Sequence, residues 1–179
     1  MLKILNKIRK IGIITEPVNM DDSLESLGIQ VKRRVDSQFR GSFAIRQVDA
    51  GSCNGCELEI HALNNPYYGV ERFGVHFVAS PRHADALLVT GPVSRHMEVA
   101  LERTYNATPD PKWVIAMGDC AVNGGEFGVS YASVGGVDKV IPVDVFIRGC
   151  PPTPHVLLRA ILALLDKSSE LKPSDAASQ

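Results

Sequence analysis

Five short runs of apolar and β-branched residues alternate with stretches of helical periodicity along this chain: Phe43 to Val48, Gly74 to Ala79, Ala86 to Thr90, Trp113 to Met117 and Lys139 to Ile147. Such alternation is the pattern of parallel strands joined by crossover helices, because a parallel pair cannot be closed by a tight turn. Helices are expected over Glu57 to Leu63, Ser94 to Tyr105 and Pro154 to Leu165. Thr153 as N-cap and Pro154 in the first turn mark the start of the last. The expected fold class is therefore α/β, a parallel sheet covered by helices.

A chain of 179 residues, 45% of them hydrophobic, carries material for one sizeable core. Its 19 Lys and Arg against 20 Asp and Glu create no global field, so a nucleic-acid partner is not expected. No run approaches the roughly 18 apolar residues of a spanning helix, and the N-terminus has no secretory signal pattern, so the chain is expected to stay in the cytoplasm. At that end Leu2, Leu5 and Ile8 recur at helical spacing, with Lys3, Lys7, Arg9 and Lys10 mostly on other faces. This predicts a short basic amphipathic helix that meets either a neighbouring subunit or a lipid surface. Pro17 and the acidic, small-residue stretch through Ser23 set that region apart. The expected organisation is an N-terminal arm over 1–36, a core domain over 37–167 and a polar tail over 168–179.

The cysteines narrow the chemistry. Two disulfides are not expected in a reducing compartment in a domain this long. Cys53 follows the first strand run, Cys120 the run Trp113 to Met117, and Cys150 the run ending at Ile147. In a parallel sheet the carboxyl ends of the strands share one edge, where ligand crevices form, so cysteines remote in sequence converge there. Cys53-Asn-Gly-Cys56 supplies two ligands on one turn, and Gly118-Asp-Cys120 and Gly149-Cys-Pro-Pro152 supply one each from loops that permit close backbone approach. An iron-sulfur cluster, a four-cysteine zinc site and a dithiol redox pair at Cys53 and Cys56 all remain readings of this spacing. The dithiol reading leaves Cys120 and Cys150 without a role.

Over roughly Ile45 to Leu165 the chain resembles the small subunits shared by respiratory complex I and the membrane-bound, energy-converting NiFe hydrogenases, including formate hydrogenlyase. The motifs are Gly51-Ser-Cys-Asn-Gly-Cys-Glu-Leu-Glu59, Glu71-Arg-Phe-Gly74, Ala79-Ser-Pro-Arg-His-Ala-Asp85, Met117-Gly-Asp-Cys120, Gly124-Gly125, Ile141-Pro-Val-Asp144 and Gly149-Cys-Pro-Pro-Thr-Pro154. The resemblance implies a flavodoxin-like fold with helices on both faces of the sheet. It implies one proximal 4Fe-4S cluster held by Cys53, Cys56, Cys120 and Cys150. It also implies a hydrogenase- or complex I-type large subunit, a ferredoxin-like iron-sulfur subunit and integral membrane subunits as partners. The chain would then lie peripherally, on the cytoplasmic side of the inner membrane. In that family, complex I members typically place the first two ligands side by side, whereas hydrogenase-type members separate them by two residues. The separated form here favours the hydrogenase branch; the alternatives are a complex I-like quinone or ferredoxin oxidoreductase without nickel and, from another class, a zinc-stabilised binding module.

Among the remaining residues, Glu57 is the candidate for a catalytic role, because an acidic residue just after the second ligand can relay protons while electrons pass through the cluster. Its competing reading is a helix-start carboxylate stabilised by the helix dipole. Arg148 stands before the last ligand loop where relatives commonly have proline, so its charge favours a reduced, more negative cluster. Arg46 lies upstream of the first ligand, in a region where the family's arginines approach the cluster. The stretch corresponding to 66–74 faces the quinone cavity in complex I relatives, but only Glu71-Arg-Phe-Gly74 keeps that pattern here. Gly124-Gly125 and Gly135-Gly136 lack the spacing of a nucleotide-binding loop, so neither nucleotide nor flavin is expected.

Overall fold

A computed structural model describes residues 2–12 and 22–170. Its elements in chain order begin with helix α1 (Leu2–Ile11), helix α2 (Asp22–Phe39), strand β1 (Phe43–Asp49), helix α3 (Gly55–Leu63) and strand β2 (Val75–Phe77). Strand β3 (Ala86–Thr90), strand β4 (Val93–Ser94), helix α4 (Glu98–Ala107), strand β5 (Trp113–Met117) and helix α5 (Asp119–Asn123) follow. Strand β6 (Ser133–Gly135), strand β7 (Val145–Ile147) and helix α6 (Pro154–Glu170) complete the described chain.

Five strands form one parallel sheet in the order β2-β1-β3-β5-β7, which reverses between β1 and β3. Counting only these five, the order is the 2-1-3-4-5 of flavodoxin-type sheets. β3 and β5 match the expected runs residue for residue, pairing Ala86 with Trp113 through Thr90 with Met117. Apart from Thr90 both are apolar, because both faces are covered. On one face Phe43, Ile45, Leu88, Ile115 and Met117 pack under α2, α3 and α6. On the other, Val48, Leu87, Val89, Val114 and Ala116 pack with Leu101 of α4 and Ala121 of α5.

Three elements differ from the sequence expectation. α2 lies in the segment read as part of an arm, yet Leu24, Leu27, Val31 and Val35 recur every three or four residues and are buried in the core. At Gly28 the helix touches the ring of Phe73 so closely that an added Cβ would come within 2.1 Å of it. Arg72 with Glu25 at 2.8 Å and Arg34 with Asp166 at 2.7 Å hold the two ends of α2 to the rest of the domain. The expected long strand Lys139 to Ile147 shrinks to β7, because Pro142 has no N–H for a ladder and Ile141 turns into the second core. Ser94, expected in a helix, instead joins β4 against β6, and its N–H donates to the Ala50 carbonyl at 2.8 Å. Pro17 and the tail beyond residue 170 lie outside the described residues.

Candidate metal centre

The carboxyl ends of β1, β3, β5 and β7 open on one crevice, at the point where the strand order reverses. A cavity of about 130 Å³ there is lined by Cys53, Cys56, Cys120 and Cys150 together with Ser52 and Gly118 among others. The structure thus brings all four sequence-predicted ligands together from segments up to 97 residues apart. Cys53 and Cys150 are exposed at its mouth, whereas Cys56 and Cys120 are partly buried.

Each loop has its own fastening. After β1, the Asp49 carboxylate accepts from the N–H of Gly51 at 2.8 Å and of Ser52 at 2.7 Å, turning the chain sharply out of the strand. Ser52 Oγ then accepts from the Asn54 N–H at 2.9 Å, and Asn54 adopts the left-handed conformation that starts α3. α3 opens with Cys56 and Glu57 in its first turn, so its positive end faces the cavity. Beyond β5 and β7, the Gly118 N–H donates to the Ile147 carbonyl at 2.8 Å, and the Asp119 N–H to the Gly149 carbonyl at 2.9 Å. Asp119 Oδ1 accepts in return from the Gly149 N–H at 3.0 Å, so the loops carrying Cys120 and Cys150 are laced to each other. Cys120 lies in the short helix α5 rather than in an open loop.

The backbone approaches the sulfurs closely at Gly118, whose φ of +91° and ψ of 155° are accessible essentially to glycine alone. A Cβ there would lie 2.7 Å from Cys56 Sγ, so the residue is a floor under that sulfur. The Cys56 thiol also donates to the Met117 carbonyl at 3.7 Å.

Electrostatically, the two partly buried thiols of the site, Cys56 and Cys120, resist ionising. Burial, then the charges of Glu57, Cys53, Cys120 and Cys150, push the Cys56 thiol from 9.0 up to about 12. Cys120 moves the same way through burial and through Cys150 and Cys53, opposed by the backbone N–H of Glu126 donating to its sulfur. A cation placed among the sulfurs would favour the thiolate forms of Cys56 and Cys120 and release their protons.

Glu57 is buried and partnered. Ser52 Oγ donates to one carboxylate oxygen and the fully buried Thr90 Oγ1 to the other, so the carboxylate ties the ligand turn to the end of β3. Sequence reasoning found Glu57 but not Ser52 or Thr90; a hydroxyl closing an otherwise apolar strand was the signal for Thr90. Arg148 is exposed and lines an adjoining cavity of about 350 Å³ with Asp119, Cys120, Glu126 and Cys150. Arg46 sits midway along β1 in register with Leu87, and its Nε is buried without a hydrogen-bond partner among the described residues. Tyr67 and Tyr68 meet edge to face at 5.0 Å between centroids, and Tyr68 meets His155 at 5.9 Å.

Comparison with known proteins extends these observations. A family model described as NADH ubiquinone oxidoreductase, 20 kDa subunit, matches residues 53–164, a span that holds all four cysteines. The chain is 44% identical over 145 residues to formate hydrogenlyase subunit 7 of Escherichia coli, covering 81% of this chain and 55% of that protein. It is 48% identical over 124 residues to the probable membrane-bound hydrogenase subunit mbhJ of Pyrococcus furiosus, covering 69% of this chain and 74% of that one. The chain thus spans about half the length of the first and three quarters of the second. It superposes with a TM-score of 0.67 and 35% identity on a chain of the membrane-bound sulfane sulfur reductase, an archaeal respiratory membrane complex, covering 76% of each.

Proposed function

Since this chain belongs to the NADH ubiquinone oxidoreductase 20 kDa subunit family of oxidoreductase complexes, we propose that it is the electron-transfer small subunit of a membrane-bound NiFe hydrogenase complex, holding one 4Fe-4S cluster through Cys53, Cys56, Cys120 and Cys150. The observation that carries the reading is the single cavity lined by those four cysteines at the sheet's reversal point. The ligands come from three separate loops, two of them supplying a single cysteine, rather than as the two close pairs usual in a structural zinc site, which supports a cluster over zinc.

When bound, the cluster supplies one-electron transfer. The chain's own residues do the rest. Four thiolates anchor it, the glycine backbone at Gly118 allows close approach, and the Glu126 N–H donates to the Cys120 sulfur. Buried Glu57 positions the first ligand turn, and its two carboxylate oxygens are where a proton travelling with the electron would be held. Electrons pass between a ferredoxin-like subunit and the catalytic centre of a large subunit, in a complex that also contains integral membrane subunits. On this reading the chain takes a peripheral place on the cytoplasmic side; among the described residues no helix is long and apolar enough to cross a membrane.

Iron and sulfide analysis of the anaerobically purified chain, with EPR after reduction, tests the cluster; about four iron per chain are expected. About one zinc and no iron would sink it. Cys120→Ser and Cys150→Ser are expected to abolish or reshape the EPR signal, and an unchanged spectrum excludes that residue as a ligand. Glu57→Gln should retain iron while slowing turnover of the assembled complex; unaltered turnover removes the proton-carrying role. A second reading is a complex I-like subunit whose large partner carries no nickel; the matching family's description as a NADH ubiquinone oxidoreductase subunit speaks for it. Two Cys-x-x-Cys pairs in the large subunit, or their absence, distinguish the two.

A further inference from the structure

Helix α1 lies outside the span matched by the family model, and the role of the cysteine cavity does not account for it. Every described side chain from Lys3 to Ile11 is exposed, so the helix buries nothing against its own chain. Ile4, Leu5, Ile8 and Ile11 remain 66%, 57%, 60% and 48% exposed. At 3.6 residues per turn these four side chains fall within roughly one third of the helix circumference. Lys7 borders one edge of that stripe and Arg9 the other, with Lys3 and Lys10 behind.

The charge is as segregated as the apolar face. The helix holds four of the chain's 19 Lys and Arg residues and none of its 20 Asp and Glu. The remainder of the chain is therefore net acidic, whereas this segment carries positive charge alone. A helix of ten residues is marginal in water on its own and gains its stability from whatever covers its apolar side. A stripe made only of Ile and Leu, edged on both sides by long cationic chains, matches the boundary between acyl chains and anionic headgroups: the aliphatic side chains enter the hydrocarbon while lysine and arginine reach back to phosphate. A protein groove would have to present acidic rims on both sides of a narrow apolar slot.

We propose that α1 is an interfacial anchor that lies flat on anionic lipid, with Ile4, Leu5, Ile8 and Ile11 immersed and Lys3, Lys7, Arg9 and Lys10 on phosphate. Being short, it holds reversibly and is sensitive to salt.

Flotation of the full, iron-loaded chain on vesicles tests this. Vesicles of phosphatidylcholine with added phosphatidylglycerol are expected to carry severalfold more protein than phosphatidylcholine alone. High salt should release it, and circular dichroism should gain helix on the anionic vesicles. Ile4→Glu with Ile8→Glu should abolish flotation, and Lys3→Gln with Lys7→Gln should weaken it severalfold, both with unchanged iron content and EPR. These substitutions are on exposed positions remote in sequence from the ligands, so loss of flotation with an intact EPR signal separates this proposal from the cluster assignment. No flotation of the wild-type chain, or equal flotation of the Ile4→Glu, Ile8→Glu variant, overturns it. So does release of that variant from its complex in neutral detergent without anionic lipid, which would make a partner subunit the occupant.

Discussion

Replacing Gly118 by alanine separates two costs that usually arrive together. The backbone at Gly118, with φ +91° and ψ 155°, lies in a region where other residues are strained by about 1–3 kcal/mol. The new Cβ would also sit 2.7 Å from Cys56 Sγ, well inside an ordinary carbon-sulfur contact, so either the strand end or the ligand must move. Gly128 provides the control: its φ of +56° and ψ of -158° are similarly restricted, but an added Cβ meets nothing within 4 Å. Gly128→Ala should therefore lower stability by about 1–3 kcal/mol in urea denaturation of the metal-free chain and leave iron content untouched. Gly118→Ala should cost at least as much and, in addition, lower iron per chain and alter the EPR signal, because the displaced sulfur is a proposed ligand. Full iron occupancy and a wild-type spectrum in Gly118→Ala would show that Cys56 does not bind the cluster from this position.

Thr90→Val removes the buried hydroxyl that donates to Glu57 and should cost about 1.5–3 kcal/mol, the range for a hydrogen bond to a charged group, read by the same denaturation; a neutral result would mean the carboxylate is satisfied elsewhere. The metal-free chain should lose stability as pH rises from 9 toward 12, since Cys56 holds its proton in the folded state up to about 12 while the unfolded thiol releases it near 9; below 9 that contribution is intact. By the same logic iodoacetamide at mildly alkaline pH should label exposed Cys53 and Cys150 before Cys56, and first labelling at Cys56 would contradict the burial described. Arg148→Gln should shift the cluster's midpoint potential downward in an EPR-monitored redox titration, by less than about 59 mV because the cation is exposed and screened; an upward shift would refute it.

The central sheet was legible because its inner strands report their environment directly. Ala86 to Thr90 and Trp113 to Met117 are buried on both faces, so unbroken apolar runs ended by Gly91 and Gly118 leave no other element that fits. The convergence of the cysteines followed from where those runs stop. Edge and crossover segments were less legible, since their conformations are set by partners distant in sequence. Ser94 is a strand residue only because Ala50 and Ser133 pair with it. The end of the run before Ile147 reads as one strand until Pro142 is given its due. α2 had a clear 3–4 spacing in Leu24, Leu27, Val31 and Val35, but the turn-rich composition preceding it drew the segment into an arm. Within the site the convergence of the four cysteines was legible, and Thr90 left a trace as the hydroxyl that closes an apolar strand; Ser52 left none, because nothing local tells a loop hydroxyl which group it will face.

The strand order has a consequence for biogenesis. The cavity has no fourth wall until β7 pairs with β5, since that pairing carries the Gly149 and Cys150 loop to Gly118 and Asp119. β7 is the last strand of the sheet to leave the ribosome, so Cys53 and Cys56 are synthesised well before the geometry that will use them exists. On the proposed reading the complete set of four cysteines therefore comes together only once the sheet is finished, and Cys53 and Cys56 wait as free thiols until then.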